Sequence, residues 1–246
     1  MKKKYKLKSK QTVNIVPIGD FHIGSAEFQE DFFEQMLKKV KKLPRKRIYL
    51  MGDCLDVATK RVADSAFTSN MSVNEQREYL INSLKPLKKD IACYCQGNHE
   101  NRVNKEFGYN IVQDICRELD IPFVNQNIDT FKVNDFDFSI FTRHGKGFSS
   151  KKHLAMGKLE RGTEHIVADM YLEGHNHRLC FWDEFTWYPE GHKRKYYGYT
   201  GHFLDYAGYA DAMYLRMEPP GWQLITLNKN RLVKSHQYYN EEVLKL

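Results

Sequence analysis

The chain has 246 residues, of which 41% are hydrophobic, so one large domain with a substantial core is possible. It has no run of 18 apolar residues, and its basic start, MKKKYKLKSK, lacks the apolar stretch of a signal peptide, so we expect a cytoplasmic protein with no membrane partner. The net charge of +7 suits a polyanionic partner such as nucleic acid, although a solvated basic surface would give the same charge.

The first half of the chain alternates predicted strands and helices. The segment TVNIVPIGD (residues 12–20) is apolar and β-branched and ends at Gly-Asp, which predicts a buried strand. Apolar residues at helical spacing over residues 27–43, followed by Pro44, predict a helix. The same analysis predicts strands at 46–53 and 90–98 and a helix at 74–87. This order is typical of a parallel sheet with crossover helices.

The second half of the chain is richer in β structure. We predict helices at 109–119 and 149–162, a hairpin at 130–145 that turns near Asn134, and a short strand within 165–177. Aromatic residues crowd 181–188 and 196–214, which favours antiparallel strands. With no linker or repeat, we predict one domain over 1–246, in which 1–10 form a basic tail or edge strand and 178–246 a β-rich C-terminal part. The five cysteines lack the spacing of zinc or redox motifs and are expected to be buried free thiols.

Residues that can bind metals follow the predicted strand ends. The five segments are Asp20-Phe21-His22, Gly52-Asp53 with Asp56, Gly97-Asn98-His99-Glu100, Arg143-His144-Gly145 and Gly174-His175-Asn176-His177. Because the carboxyl ends of parallel strands open on one edge of a sheet, these segments are expected to meet there. Clustered carboxylates and imidazoles are costly to bury unless they are paired or bound to metal.

The set of donors narrows the metal chemistry. Two Asp, one Asn and four His without Cys suit Mn²⁺, Fe²⁺ or Zn²⁺ better than Ca²⁺ or a structural zinc. Seven side chains are too many for one ion but enough for two, if one carboxylate bridges them. Two ions about 3.5–4 Å apart clamp a phosphoryl group and lower the pKa of a bridging water.

Taken together and in this order, the five segments resemble the motifs of the calcineurin-like metallophosphoesterases, from residue 20 to residue 177. The resemblance implies a four-layer α/β/β/α sandwich of two mixed sheets flanked by helices, with a dinuclear metal centre at the strand ends. It assigns Asp20, His22 and His177 to one metal, assigns Asn98, His144 and His175 to the other, and makes Asp53 the bridge. Manganese is the metal pair we expect, with iron or zinc as alternatives.

The resemblance also assigns two residues to catalysis. It implies that His99 is not a ligand but faces the phosphate, where it protonates the leaving oxygen or stabilises developing charge. Asp56 would hydrogen-bond His99 and fix its tautomer. The alternative for Asp56 is a helix cap.

The motifs also separate branches of the family. Protein serine/threonine phosphatases carry Asp-x-x-Asp-Arg-Gly in the second motif and Arg before Gly-Asn-His-Glu, whereas this chain has GDCLDVA and Gln96. The second histidine of Gly-His-x-His matches the phosphodiesterase and nuclease branches, and Glu100 matches the phosphatase branch. We therefore predict a hydrolase of phosphodiesters that uses a metal-bridged hydroxide and is nuclease-like. The C-terminal part loosely resembles that of small virus- or prophage-type members.

Four cations beside the motifs are candidate contacts for the substrate phosphate, and DNA or RNA is the expected polymer substrate. They are Arg102, Arg143, Lys146 and Arg178. The aromatic residues of 196–214 either stack on bases or fill a β core. Two alternatives stay open, a small-molecule phosphomonoesterase or nucleotide hydrolase, and a catalytically inactive module that binds nucleic acid. Substrate, metal pair and oligomeric state are not determined by the sequence.

Overall fold

Two six-stranded β-sheets lie face to face, with helices on both outer surfaces, in the computed structural model of this chain. The structure describes residues 3–57, 69–147, 149, 151–189, 191–205 and 218–240. Its helices are α1 (Glu30–Lys42), α2 (Val73–Leu84), α3 (Glu100–Phe107), α4 (Ile111–Leu119) and α5 (Lys152–Thr163), with a 3-10 helix (Lys85–Asp90) after α2. Its strands are β1 (Lys4–Tyr5), β2 (Thr12–Ile18), β3 (Lys46–Leu50), β4 (Ile91–Cys95), β5 (Phe123–Val124), β6 (Gln126–Val133), β7 (Phe136–Arg143), β8 (Met170–Glu173), β9 (Leu179–Tyr188), β10 (Gly191–Thr200), β11 (Gly221–Asn228) and β12 (Val233–Tyr239).

The first sheet has the order β12-β11-β2-β3-β4-β5. Strands β2 to β5 are parallel, and helices connect β2 to β3 and β4 to β5, as the alternating pattern predicts. Strands β11 and β12 form an antiparallel hairpin that joins this sheet along β2. The carboxyl ends of β2, β3 and β4 therefore lie at one edge.

The second sheet has the order β1-β6-β7-β8-β10-β9. Strands β6 and β7 form the predicted hairpin, and β7, β8 and β10 run parallel to one another. The two-residue strand β1 pairs with β6 at the sheet margin. The carboxyl ends of β7 and β8 also share an edge, because parallel neighbours end on the same side.

Three apolar clusters hold the layers together. Tyr49 of the first sheet and Phe131 and Met170 of the second are fully buried between the sheets. On the outer face of the first sheet, α1, α2 and α4 pack their apolar sides, with Phe33 completely buried. Leu159 of α5 covers the outer face of the second sheet. Burying each such side chain contributes roughly 1.5–3 kcal/mol. The structure confirms the predicted four-layer α/β/β/α sandwich of two mixed sheets.

Some elements differ from the sequence prediction. Helix α3 is not among the predicted helices. Its eight residues, ENRVNKEF, are mostly polar, and only Glu100 and Val103 of them are buried. In the aromatic stretch, Tyr197 and Tyr199 are buried in β10, so the core alternative holds for that part, and residues 206–214 lie outside the described residues.

All five cysteines are buried free thiols, as predicted. Among the described residues, no helix combines the length and the apolar character needed to cross a bilayer.

Glu100, at the start of α3, anchors the loop that follows β3. Its carboxylate accepts hydrogen bonds from the backbone N–H groups of Asp53 (3.1 Å), Cys54 (2.6 Å) and Leu55 (3.3 Å). It also accepts one from the Tyr94 hydroxyl of β4 at 2.9 Å. The side chain is fully buried, and burial, aided by the Asp53 carboxylate, raises its pKa to about 7. One side chain thus joins β4, α3 and the loop after β3.

Replacing this carboxylate should destabilise the fold markedly. We expect Glu100→Ala to lower the free energy of unfolding by about 3 kcal/mol or more, because it leaves several buried N–H groups unpaired and each costs about 1–3 kcal/mol. Urea denaturation of the metal-free protein measures the change. Lys105→Ala, at an exposed position of the same helix, is the matched control and should unfold like the wild type. Equal midpoints for Glu100→Ala and Lys105→Ala would show that the anchor is unimportant.

Candidate metal centre

The five predicted motifs meet at the common edge of the two sheets. The loops after β2, β3 and β4 supply Asp20, Asp53 and Asn98 from the first sheet, and the loops after β7 and β8 supply His144 and His175 from the second. Asp20 and Asp53 are almost completely buried, at 0% and 2% exposure. Because a buried carboxylate is costly without a compensating charge, the site must contain cations or protons.

Five of the seven predicted ligands have a left-handed backbone. Their φ angles are 49° for Asp20, 52° for His22, 47° for Asp53, 66° for His175 and 52° for His177. Such angles are uncommon outside glycine, and residues held in them cluster at functional sites. The left-handed conformation turns each chain sharply as it leaves its strand. The loops can therefore direct side chains back over the sheet edge.

Close approach of two loops also requires glycine at one position. A Cβ atom on Gly97 would lie 2.1 Å from the Asp53 backbone nitrogen and 2.2 Å from its Oδ1. No side chain can be accommodated there without displacing the loop after β3. Without a side chain at Gly97, the backbone N–H of His99 donates to Asp53 Oδ1 at 2.8 Å.

Asp20, His22 and His177 form the first cluster. The ring atoms His22 Nε2 and His177 Nε2 are 3.2 Å apart, and His177 Nε2 is 3.5 Å from Asp20 Oδ1. Asp20 also accepts from the backbone N–H of His175 at 3.0 Å. The donor atoms of the three residues lie within 4.8 Å of one another, so one cation can contact all of them.

Asp53, Asn98, His144 and His175 form the second cluster. His144 Nε2 is at its centre, 3.1 Å from Asp53 Oδ2, 2.9 Å from Asn98 Oδ1 and 3.1 Å from His175 Nδ1. The grouping of donors in the two clusters is the grouping that the family resemblance implies. Asp53 Oδ2 is also 4.0 Å from His99 Nε2, and the His99 ring centroid lies 4.4 Å from that of His22 in the first cluster.

Hydrogen bonding identifies which His144 nitrogen can bind a cation. His144 Nδ1 is 2.8 Å from the Met51 carbonyl oxygen, which only accepts, so Nδ1 carries a proton. Nε2 therefore points toward a carboxylate oxygen and an amide oxygen, both acceptors. Three acceptors in contact repel one another unless a proton or a metal ion lies between them. The donor set fits a divalent cation.

In the absence of a metal ion, protons supply the compensating charge. Burial acts to lower the pKa of His144, but the nearby Asp53 carboxylate outweighs it and raises that pKa to about 10. Burial and the neighbouring His144 lower the pKa of His175 to about 4. Burial also opposes ionisation of Asp53, yet His144 holds the pKa of Asp53 well below its usual value. The second cluster thus carries its positive charge on His144.

His99 lies beside both clusters, and its donor atom lies within 4.8 Å of donor atoms of His22 and Asp53, one from each cluster. Its Nδ1 is 2.8 Å from the Asp56 carbonyl oxygen and 3.2 Å from Asp56 Oδ1. On the opposite side of the ring, Arg102 Nη2 is 3.0 Å from His99 Nε2. Because guanidinium only donates, Nε2 accepts and Nδ1 donates in this arrangement. Asp56 Oδ1 is also 3.4 Å from His22 Nδ1, so one carboxylate contacts a candidate ligand and the candidate catalytic histidine.

The other three basic residues predicted to contact the substrate phosphate have different surroundings. Arg143 pairs with the buried Glu173 at 2.5 Å and donates to the Gly162 carbonyl. Arg178 is 3% exposed and pairs with Glu218 at 3.1 Å. Lys146 is exposed on the loop that follows His144. Of the four predicted cations, Arg102 contacts the candidate catalytic histidine.

Comparisons with known proteins give distant likenesses. No family model and no curated protein matches this chain. Among solved structures, a Vps29 single mutant from Entamoeba histolytica shares 16% identity over 93% of this chain and 99% of its own, with a TM-score of 0.46. A hypothetical protein from Pyrococcus horikoshii OT3 shares 12% identity over 95% of this chain and 90% of its own, with a TM-score of 0.48.

A third solved structure, a conserved uncharacterized protein described as a predicted phosphoesterase from Streptococcus pneumoniae TIGR4, shares 13% identity. The likeness covers 94% of this chain and 100% of that one, with a TM-score of 0.39. Since all three TM-scores are below 0.5, neither fold nor function is transferred from them. The fold rests on the sheet order and helical layers of this chain, and the resemblance to calcineurin-like metallophosphoesterases rests on its five motifs.

Proposed function

We propose that this protein is a phosphoesterase that depends on two divalent metal ions and hydrolyses phosphodiester bonds in a nuclease-like manner. The observation that carries the proposal is the pair of donor clusters, with the Asp53 carboxylate facing His144 of one cluster at 3.1 Å and His99, beside the other, at 4.0 Å. Structural metal sites need one closed ligand set, whereas two adjoining ligand sets with a further histidine beside them suit hydrolysis.

The ions would be held by Asp20, His22 and His177 on one side and by Asn98, His144 and His175 on the other, with Asp53 shared. When bound, two such ions polarise phosphoryl oxygens and lower the pKa of a water molecule. Manganese is the expected metal, with iron or zinc as alternatives. Asn98 contributes a neutral oxygen, which limits the negative charge that faces an anionic substrate.

His99 would act on the leaving group. Burial acts to lower its pKa, but the hydrogen bond to Asp56 raises it above the ordinary histidine value, which favours the proton-carrying form. Arg102 must release Nε2 before that nitrogen can carry a proton, since its guanidinium donates to it at 3.0 Å. A bound phosphate is a stronger acceptor for the guanidinium than a neutral imidazole. Substrate binding and protonation of His99 would thus occur together.

Two observations favour a polymeric diester substrate. The amines of Lys146, Lys151 and Lys152 are exposed on the segment that follows His144, where they could follow a chain of phosphates. The chain also lacks the two arginines with which protein phosphatases grip a terminal phosphate. Arg102 beside His99 supports the second candidate, a phosphomonoesterase, because a guanidinium suits a doubly charged phosphate.

A comparison of ester types tests the proposed function. With Mn²⁺ added, we expect the protein to cleave bis-p-nitrophenyl phosphate faster than p-nitrophenyl phosphate, and to lose both activities in excess chelator. Single- and double-stranded DNA and RNA are tested in parallel. A faster monoester reaction would instead support the phosphomonoesterase. If the metal-loaded protein were inactive on every ester but still bound DNA in a salt-dependent way, it would instead be a catalytically inactive nucleic-acid-binding module.

Removing the His99 imidazole should separate catalysis from metal binding. We expect His99→Ala to lower kcat on the diester by about 10²–10⁴-fold, the usual contribution of a general acid, while both metal ions still bind. Metal content measured by elemental analysis and kcat are compared in the same preparation. His165→Ala, which removes an exposed imidazole, is the control. Undiminished kcat for His99→Ala would remove this residue from the mechanism.

Metal affinity should depend on pH because protons and metal ions compete for His144. Since the pKa of His144 is raised to about 10 without metal, the ring is protonated at pH 7 and must lose its proton to bind a cation. We expect affinity to rise between pH 6 and pH 9, by up to about tenfold per pH unit for one displaced proton. Calorimetry in buffers of different ionisation enthalpy measures the protons released. Binding that releases none would contradict this assignment.

A further inference from the structure

A short segment after β10 contacts two of the metal-binding loops. The backbone N–H of Gly201 donates to the Arg178 carbonyl at 2.7 Å, next to His177. The backbone N–H of Phe203 donates to the Asp20 carbonyl at 3.1 Å. Residues 201–204 therefore fasten the loop that carries Asp20 to the loop that carries His177, although these loops leave different sheets. None of the five motifs includes this segment.

The side chain between those two backbone contacts is a buried histidine. His202 is 5% exposed, and its ring stacks on the ring of His177 with centroids 5.0 Å apart and planes 20° apart. His177 is the most exposed member of its cluster, with 32% of its side chain accessible. Contact with His202 is therefore an important restraint on the plane of the His177 ring, which places Nε2 toward Asp20 and His22.

His202 is itself held at both ring nitrogens. The backbone N–H of Leu204 donates to Nδ1 at 3.2 Å, so Nδ1 accepts. Nε2 then carries the proton and donates to the Glu218 carbonyl at 3.0 Å. The backbone N–H and C=O of His202 both bond to Gly221. The ring cannot turn without breaking these hydrogen bonds.

The tight approach of this segment to β11 depends on glycine. Gly201 has φ +84°, and a Cβ atom on it would lie 2.0 Å from the Gly221 carbonyl oxygen. Only a residue without a side chain can bring His202 into this position. The left-handed Gly201, the two backbone hydrogen bonds between His202 and Gly221, and the two ring hydrogen bonds together hold the His202 imidazole against His177.

We propose that His202 is a positioning residue for the first metal cluster, in which its stacked ring holds His177 in the orientation that binds the ion. The inference rests on the metal centre and not on which ester is hydrolysed. Removing groups that orient metal ligands typically reduces metal affinity by about 10–100-fold. If the residue only held the segment, metal affinity would instead be lost when its hydrogen bonds to Leu204 and Glu218 are removed, and not when the ring alone is removed.

Two substitutions separate the stacked ring from its hydrogen bonds. His202→Gln keeps a donor and an acceptor for Glu218 and Leu204 but removes the ring, whereas His202→Phe keeps a stacking ring and removes the hydrogen bonds. We expect His202→Gln to bind Co²⁺ about 10–100-fold more weakly at one of two sites and to change the visible Co²⁺ spectrum. His202→Phe should remain close to the wild type in both measurements.

Controls distinguish the possible outcomes. His192→Gln, on the exposed β9–β10 hairpin, should bind Co²⁺ like the wild type. Thermal melting without metal shows whether each variant folds, and His202→Leu replaces His202→Gln if the latter does not. If His202→Gln kept the Co²⁺ affinity and spectrum of the wild type, the role of His202 would be overturned. The same holds if only His202→Phe lost Co²⁺ affinity. Neither result would contradict the metal centre itself. A wild-type protein that binds no divalent ion would overturn the metal centre and, with it, the role of His202.

Discussion

The buried carboxylate of Asp53 is the charge around which the edge of the sandwich is organised. Burying an isolated carboxylate is prohibitively costly, so the surrounding chain must supply hydrogen-bond donors and positive charge. The backbone N–H of His99 bonds to Oδ1, and His144 faces Oδ2. Gly97 leaves the space that this approach requires, and Glu100 holds the backbone of the same loop. The His99 backbone N–H, the His144 imidazole and the space at Gly97 thus all accommodate the Asp53 carboxylate.

Asp53 and Glu100, two of the buried carboxylates at this edge, have separate roles. Asp53 faces the donors that can hold metal ions, whereas Glu100 is occupied by backbone N–H groups of the same loop. Five left-handed ligands add a conformational cost of order 1–3 kcal/mol each. Such a cost persists only where extensive packing determines the loops, and the apolar clusters on both faces of each sheet provide that packing.

Sequence reasoning could predict those parts of the molecule that depend on local pattern. Alternating strands and helices predicted a parallel sheet with crossover helices, and the family resemblance implied the two-sheet sandwich. The strand-end motifs predicted which side chains would meet. The role of Glu100 could not be predicted, because its partners are backbone N–H groups of a loop 45 to 47 residues earlier in the chain. His202 is similar, since its contact with His177 depends on the pairing of β10 with β8, which brings the segments after these two strands together. Arg143 and Arg178 are adjacent to the motifs in sequence, but tertiary packing pairs them with Glu173 and Glu218, which the sequence does not predict.

Both donor clusters draw ligands from both sheets. Asp20 follows β2 of the first sheet and His177 follows β8 of the second, and His144 after β7 meets Asn98 after β4. A cation bound at either cluster would therefore act as a cross-link between the two halves of the sandwich. It would bind only the docked arrangement and would stabilise it by mass action, increasingly as its concentration exceeds the dissociation constant. The supply of metal would then govern both the proposed catalysis and how long the two layers remain together.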